Sequence, residues 1–79
     1  MRLLIAEDDA ALGPRLRDRL AREGYAVDLA VDGIDAGHLG ATEPYDAVIL
    51  DLGLPRRNGL ELLREWRAAG NQVPVLILT

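Results

Sequence analysis

A chain of 79 residues, 49% hydrophobic and 28% charged, has room for one small domain or a piece of one. It contains no Cys, Ser, Lys or Phe, and His38 is its single histidine, which excludes disulfides, thiolate or multi-histidine metal sites, Ser-His and Cys-His nucleophile pairs, Schiff-base lysines and Walker-type phosphate loops. Thirteen acids against nine Arg leave a net charge of −4, a poor footprint for nucleic acid.

The first apolar block, Leu3-Leu4-Ile5-Ala6, is continuous and not alternating, the pattern of a strand buried on both faces. Residues 10–22 predict a helix: Leu12, Leu16 and Leu20 form an i, i+4, i+8 stripe, Asp9 is the expected N-cap and Gly24 stands where a C-terminal cap belongs. Pro14 falls in the first turn, where a missing N–H matters least. Over residues 25–30, Tyr25, Val27 and Leu29 alternate with Asp28, which reads as a half-exposed edge strand.

Asp32, with Asp35 three residues on, caps a second helix over 34–41 that its glycines weaken. Ala47-Val48-Ile49-Leu50 is another buried strand. Asn58 and Glu61 stand at capping-box spacing ahead of a helix over 59–69, with Leu62, Leu63 and Trp66 facing the sheet and Gly70 ending it. Residues 73–78 predict a last strand, again buried on both faces.

The order βαβαβαβ with right-handed crossovers makes an α/β doubly wound parallel sheet. With the alternating strand at the edge, the expected spatial order is 2-1-3-4. Nothing follows the fourth strand to cover it, so the chain is expected to be cut short. Only four apolar residues separate Arg2 from Glu7, too few for a signal peptide, and no apolar run approaches the ~18 residues needed to cross a bilayer. A cytoplasmic location without membrane contact is the expectation.

Three apolar blocks end in a polar residue: Ala6 gives way to Glu7 and Asp8, Leu50 to Asp51, and Leu78 to Thr79. Ligands of open parallel sheets bind beyond the carboxyl ends of the strands, where the strand order reverses. Strands 1 and 3 flank that point, which brings Glu7, Asp8 and Asp51 into one crevice with Thr79 at the next strand end. Such carboxylates raise one another's pKa or bind a cation. An all-oxygen set favours Mg²⁺ over zinc. The plainer alternative is helix capping or solvation, which suits one acid better than acids ending two adjacent central strands. Gly53, two residues after Asp51, lacks the second carboxylate that an Asp-x-Asp phosphatase uses as general acid and base. A lone acceptor carboxylate is suited to storing a phosphoryl group.

These residues resemble the receiver domain of two-component response regulators. The matching stretches are Arg2-Leu-Leu-Ile-Ala-Glu-Asp-Asp9, Tyr45-Asp-Ala-Val-Ile-Leu-Asp-Leu-Gly-Leu-Pro55, Asn58-Gly-Leu-Glu-Leu-Leu63 and Val73-Pro-Val-Leu-Ile-Leu-Thr79. The phrase from Leu50 to Pro55 is most similar to the PmrA/QseB-like branch of the winged-helix (OmpR/PhoB) transcriptional regulators. The resemblance covers the whole chain and implies a flavodoxin-like fold. It makes Asp51 the phosphoacceptor for the histidine of a sensor kinase, and Thr79 the switch hydroxyl. Glu7, Asp8, Asp51 and the Gly53 carbonyl would hold Mg²⁺. Pro55 and Gly59 match the loop after the acceptor, where Asn58 replaces the commoner Asp.

The resemblance also implies a missing final α-β-α portion, with its aromatic switch residue and Lys. On this reading residues 1–79 are a truncated receiver, and a DNA-binding winged-helix domain belongs to a longer parent. Self-association is expected, as is a signalling module and not an enzyme. A phosphorylation-independent interaction module and a Mg²⁺-dependent phosphohydrolase are the alternatives.

Other polar residues have simpler readings. His38 is a solvated helix histidine. Arg15, Arg19 and Arg22 line a solvated face with an Asp18–Arg22 pair, or alternatively a kinase-docking face. Arg56 and Arg57 are read as solvated, and Trp66 as core.

Overall fold

The computed structural model describes residues 1–78, and Thr79 lies outside them. Seven elements alternate among the described residues: β1 (Arg2–Ala6), α1 (Leu12–Arg22), β2 (Ala26–Ala30), α2 (Gly33–Thr42), β3 (Ala47–Asp51), α3 (Gly59–Ala68) and β4 (Val75–Leu78). The strands are all parallel and run β2-β1-β3-β4 across the sheet. This is the doubly wound order expected from the apolar blocks.

Alternate residues of β1 and β3 point to opposite faces. Leu4, Ala6, Val48 and Leu50 join Ala36 of α2 and Leu62 and Trp66 of α3 in one buried cluster. Leu3 and Ile5, also buried, turn to the other face, where α1 packs on β1 and β2. Full burial of side chains such as Leu4, Ile5, Leu50 and Leu62 is worth about 1.5–3 kcal/mol each.

Helix ends depart from the expected ones for local reasons. Asp9 Oδ1 accepts the N–H groups of Ala11 and Leu12 at 2.8 and 2.9 Å. That turn occupies residues 10 and 11, so α1 starts at Leu12 and not at residue 10. Its far end closes through Gly24, φ 96°, with Gly24 N–H on Ala21 O and Tyr25 N–H on Leu20 O. Tyr25 therefore belongs to the helix cap, and β2 begins one residue later. Gly70, φ 84°, closes α3 in the same way.

Asp32 caps α2 as expected, its Oδ1 accepting Asp35 N–H at 2.9 Å, and the helix is slightly longer than the pattern suggests. Asn58 caps α3 through Leu60 N–H at 2.7 Å. Glu61 does not complete a capping box. It faces Arg57, 3.8 Å away, and Arg57 also meets Glu65 at 2.7 Å, so this arginine is paired with α3 and not simply solvated. The expected Asp18–Arg22 pair is replaced by Arg17–Asp18 and Arg19–Glu23. Trp66 is core, with its indole N–H on Gly37 O at 3.4 Å, and His38 is exposed.

The fourth strand corrects the sequence reading. It starts at Val75, because Pro74 has no N–H to give the ladder, and contributes only its carbonyl, to Val48 N–H at 2.9 Å. It is not buried on both faces: Leu76 is 63% and Ile77 39% exposed. The stripe of α1 is likewise only partly covered, with Leu12 exposed and Leu16 and Leu20 half-buried.

Candidate metal centre

Parallel pairing sets the site. Ala6 of β1 lies opposite Leu50 of β3, so the residues that follow each strand emerge side by side at the sheet's carboxyl end. Glu7 continues the ladder one step, its N–H on Ala30 O at 3.0 Å, and is buried. Asp8 is exposed and Asp51 half-buried. One carboxylate oxygen from each of Glu7, Asp8 and Asp51 lies within 4.8 Å of the others. The crevice around them encloses about 440 Å³ and is lined also by Asp9, Leu12 and Leu78.

The local bonds hold two of the three carboxylates in place. Glu7 Oε2 accepts Asp9 N–H at 3.2 Å, and Asp51 Oδ1 accepts Gly53 N–H at 3.0 Å. Burial pushes the Glu7 carboxyl above its ordinary range. The Asp9 N–H opposes that rise, and the Asp51 and Asp8 carboxylates add to it. Asp9 goes the other way, held low by the N–H groups of Leu12 and Ala11. No arginine forms an ion pair with Glu7, Asp8 or Asp51 among the described residues. A small oxygen-lined cleft with uncompensated negative charge fits a hard divalent cation.

The sequence placed Glu7, Asp8 and Asp51 together, and the structure brings them together. Gly53 stands beside Asp51, but the contact it makes is through its N–H; the expected role was for its carbonyl. Thr79 falls outside the described residues. Composition and periodicity gave no hint of the backbone of the loop 52–58. Arg56 adopts φ 72°, a left-handed conformation without glycine, and the Arg57 N–H reaches back to Pro55 O at 2.9 Å in a tight three-residue turn.

Residues 3–79 match the response regulator receiver domain. The response regulator protein PmrA of Pseudomonas aeruginosa is 47% identical over 79 residues, 100% of this chain and 36% of that protein. The transcriptional regulatory protein QseB of Haemophilus influenzae is 48% identical with the same coverage. Among solved structures, the receiver domain of the Francisella response regulator 1452 superposes with a TM-score of 0.92 at 29% identity, over 96% of this chain and 63% of that one. The receiver domain of a Pseudomonas aeruginosa sensor histidine kinase, with magnesium coordinated in its active site cleft, gives 0.91 at 35% identity, over 99% and 66%. The chain belongs to the response regulator receiver domain family. It spans about a third of the length of the curated relatives it matches.

Proposed function

We propose that this chain is the phosphoryl-accepting receiver of a two-component response regulator. The observation that carries the reading is the convergence of the Glu7, Asp8 and Asp51 carboxylates at adjacent strand ends of a receiver-family sheet. Asp51 is the acceptor. Its Oδ1 is engaged by the Gly53 N–H, which leaves Oδ2 to attack the phosphorus of a phosphohistidine on a sensor kinase. The new P–O bond forms as the P–N bond breaks, and the departing imidazole nitrogen takes up a proton from water. The product is an acyl phosphate on Asp51.

Glu7, Asp8 and Asp51, with the Gly53 carbonyl, are the ligands for Mg²⁺. Bound there, the ion supplies charge neutralisation for the incoming phosphoryl oxygens. Glu7 presents a buried, pre-positioned ligand and Asp8 an exposed one. Thr79 is the switch hydroxyl of this reading. Gly53 offers no side chain to hydrolyse the acyl phosphate, so the module stores the group and is not a turnover enzyme.

Residues 1–79 are then the first part of a receiver within a longer cytoplasmic regulator. Its DNA contacts belong to a C-terminal winged-helix domain, and this acidic segment makes none. No helix among the described residues is long and apolar enough to cross a membrane.

Acetyl phosphate with Mg²⁺, followed by intact mass, tests the proposal. A stable gain of one phosphoryl group, lost in Asp51→Asn, is expected. No adduct points to an interaction module, and steady phosphate release without an adduct points to a hydrolase.

A further inference from the structure

The loop 52–58, which leads from the acceptor strand to α3, is pressed by two glycines that have no room for a side chain. At its end a Cβ on Gly59 would lie 2.5 Å from Asp51 O, and the Gly59 N–H donates to Leu52 O at 3.1 Å. In its middle, a Cβ on Gly33 would fall inside the carbonyl oxygen and Cβ of Arg57. Gly33 is the first residue of α2, and the leading N–H groups of a helix have no acceptor within it. Gly33 gives its N–H to the loop, at 2.9 Å from Pro55 O. The same oxygen takes the Arg57 N–H, and the strained Arg56 between them reaches the α2 cap Asp32 at 4.0 Å. The start of α2 and the acceptor loop therefore share one carbonyl and one close backbone contact. Pro55 is only two residues beyond Gly53.

We propose that Gly33 is a positioning residue for the candidate metal centre: the start of α2 clamps the loop 52–58 and thereby fixes the Gly53 N–H on Asp51 Oδ1. The inference rests on the metal-binding reading of Glu7, Asp8 and Asp51. A side chain at position 33 must lift α2 off the loop or push Arg57 and Pro55 toward Gly53. Either movement loosens Asp51 and the Gly53 backbone without substituting any of the ligand residues. Gly40 provides the control, because a Cβ there collides with the Trp66 indole at the opposite end of α2. Gly40→Ala disturbs the packing of α2 on α3 and leaves the loop alone.

The test compares Mg²⁺ titrations of the wild-type chain, Gly33→Ala and Gly40→Ala by calorimetry, each at a temperature where circular dichroism shows it folded. Gly33→Ala should bind Mg²⁺ at least about 5-fold more weakly, the lower range of energetic coupling between sites. Gly40→Ala should melt earlier than wild type and bind Mg²⁺ with unchanged affinity. Wild-type affinity in Gly33→Ala overturns the clamp alone, whereas no binding to the wild-type chain removes the metal site and the clamp with it. Equal weakening by Gly40→Ala reduces Gly33 to a packing residue and also overturns the proposal. Should Gly33→Ala fail to fold, amide exchange of the unaltered chain decides. Coupling is reciprocal, so Mg²⁺ should slow exchange at the Gly33 N–H. A Gly33 amide that exchanges like an open helix end, indifferent to Mg²⁺, sinks the idea.

Discussion

Asp8 is the exposed member of the acidic cluster, so its charge would act on a cation held there with little help from burial. Asp8→Asn keeps the shape and removes one of three negative charges. Mg²⁺ affinity should fall while the melting temperature holds or rises, because like-charge repulsion with Glu7 and Asp51 is relieved. Calorimetric titration beside thermal melting checks both halves, and undiminished affinity in the variant would remove Asp8 from the site. Arg56 poses a different residue-scale question. A left-handed residue with a Cβ is strained by about 1–2 kcal/mol, whereas glycine in the unfolded chain forgoes about 0.5–1 kcal/mol. The exposed Arg56–Asp32 pair at 4.0 Å adds little. Arg56→Gly should therefore stabilise the fold by about 0.5–1 kcal/mol, seen as a rise of several degrees in the melt. A lower melting temperature would show that the loop's strain is not local to Arg56.

At the scale of elements, the amino end of the sheet is tied by one polar cluster. The Arg2 guanidinium meets Asp28 of β2 and Glu43 after α2, both at 3.0 Å, and lies over the Tyr45 ring 5.0 Å from its centroid. Tyr45 donates its hydroxyl to Asp28 at 2.7 Å. That bond foremost, and Arg2 after it, hold the Asp28 carboxyl below its ordinary range against partial burial. A depressed folded pKa means the stabilisation is present above the unfolded value of about 3.9 and lost as pH falls through the folded one. Tyr45→Phe should accordingly be destabilised near neutrality, with its deficit against wild type shrinking as the pH falls below about 4. Thermal melts of both proteins across that range check it, and a deficit that grows on acidification would contradict the assignment.

Elements were legible in the sequence where their causes are local. Asp32 and Asn58 cap through N–H groups two or three residues away, and Gly24 and Gly70 close helices through bonds within the same turn. One of the glycines that weaken α2 in a propensity argument has a cause 26 positions off: Trp66 packs where a Gly40 side chain would be. The acidic site was legible because strand ends and strand order suffice to bring Glu7, Asp8 and Asp51 together. The Gly33–Pro55 contact was not, since no spacing pattern announces a helix start and a distant loop sharing a carbonyl. Continuous apolar character in β4 likewise announced a buried strand, but burial depends on what lies beside it.

On the scale of the whole molecule, that exposure decides behaviour. Leu76 and Ile77 keep 63% and 39% of their surface in water, and β4 has no strand on its outer side among the described residues. At about 1.5–3 kcal/mol for a fully covered aliphatic side chain, the open parts of these two are together worth about 1.5–3 kcal/mol per copy. Two copies joined edge to edge would recover at most about 3–6 kcal/mol, with ladder hydrogen bonds adding about 0.5–1.5 each. Association costs at least about 4 kcal/mol in lost freedom, so pairing should be weak, micromolar at its tightest. A small unstapled core adds the other half of the argument, since at about 0.05–0.15 kcal/mol per residue it has little stability in reserve. The 79-residue chain should therefore show an apparent mass that climbs with concentration and a broad melt. Leu76→Lys places a charge on the bare edge, a common natural block to strand addition, and should hold the apparent mass at the monomer value. Light scattering over a concentration series, with thermal melting alongside, separates the outcomes. A wild-type chain that stays monodisperse and melts cooperatively above ~50 °C would show that the open β4 edge is no liability.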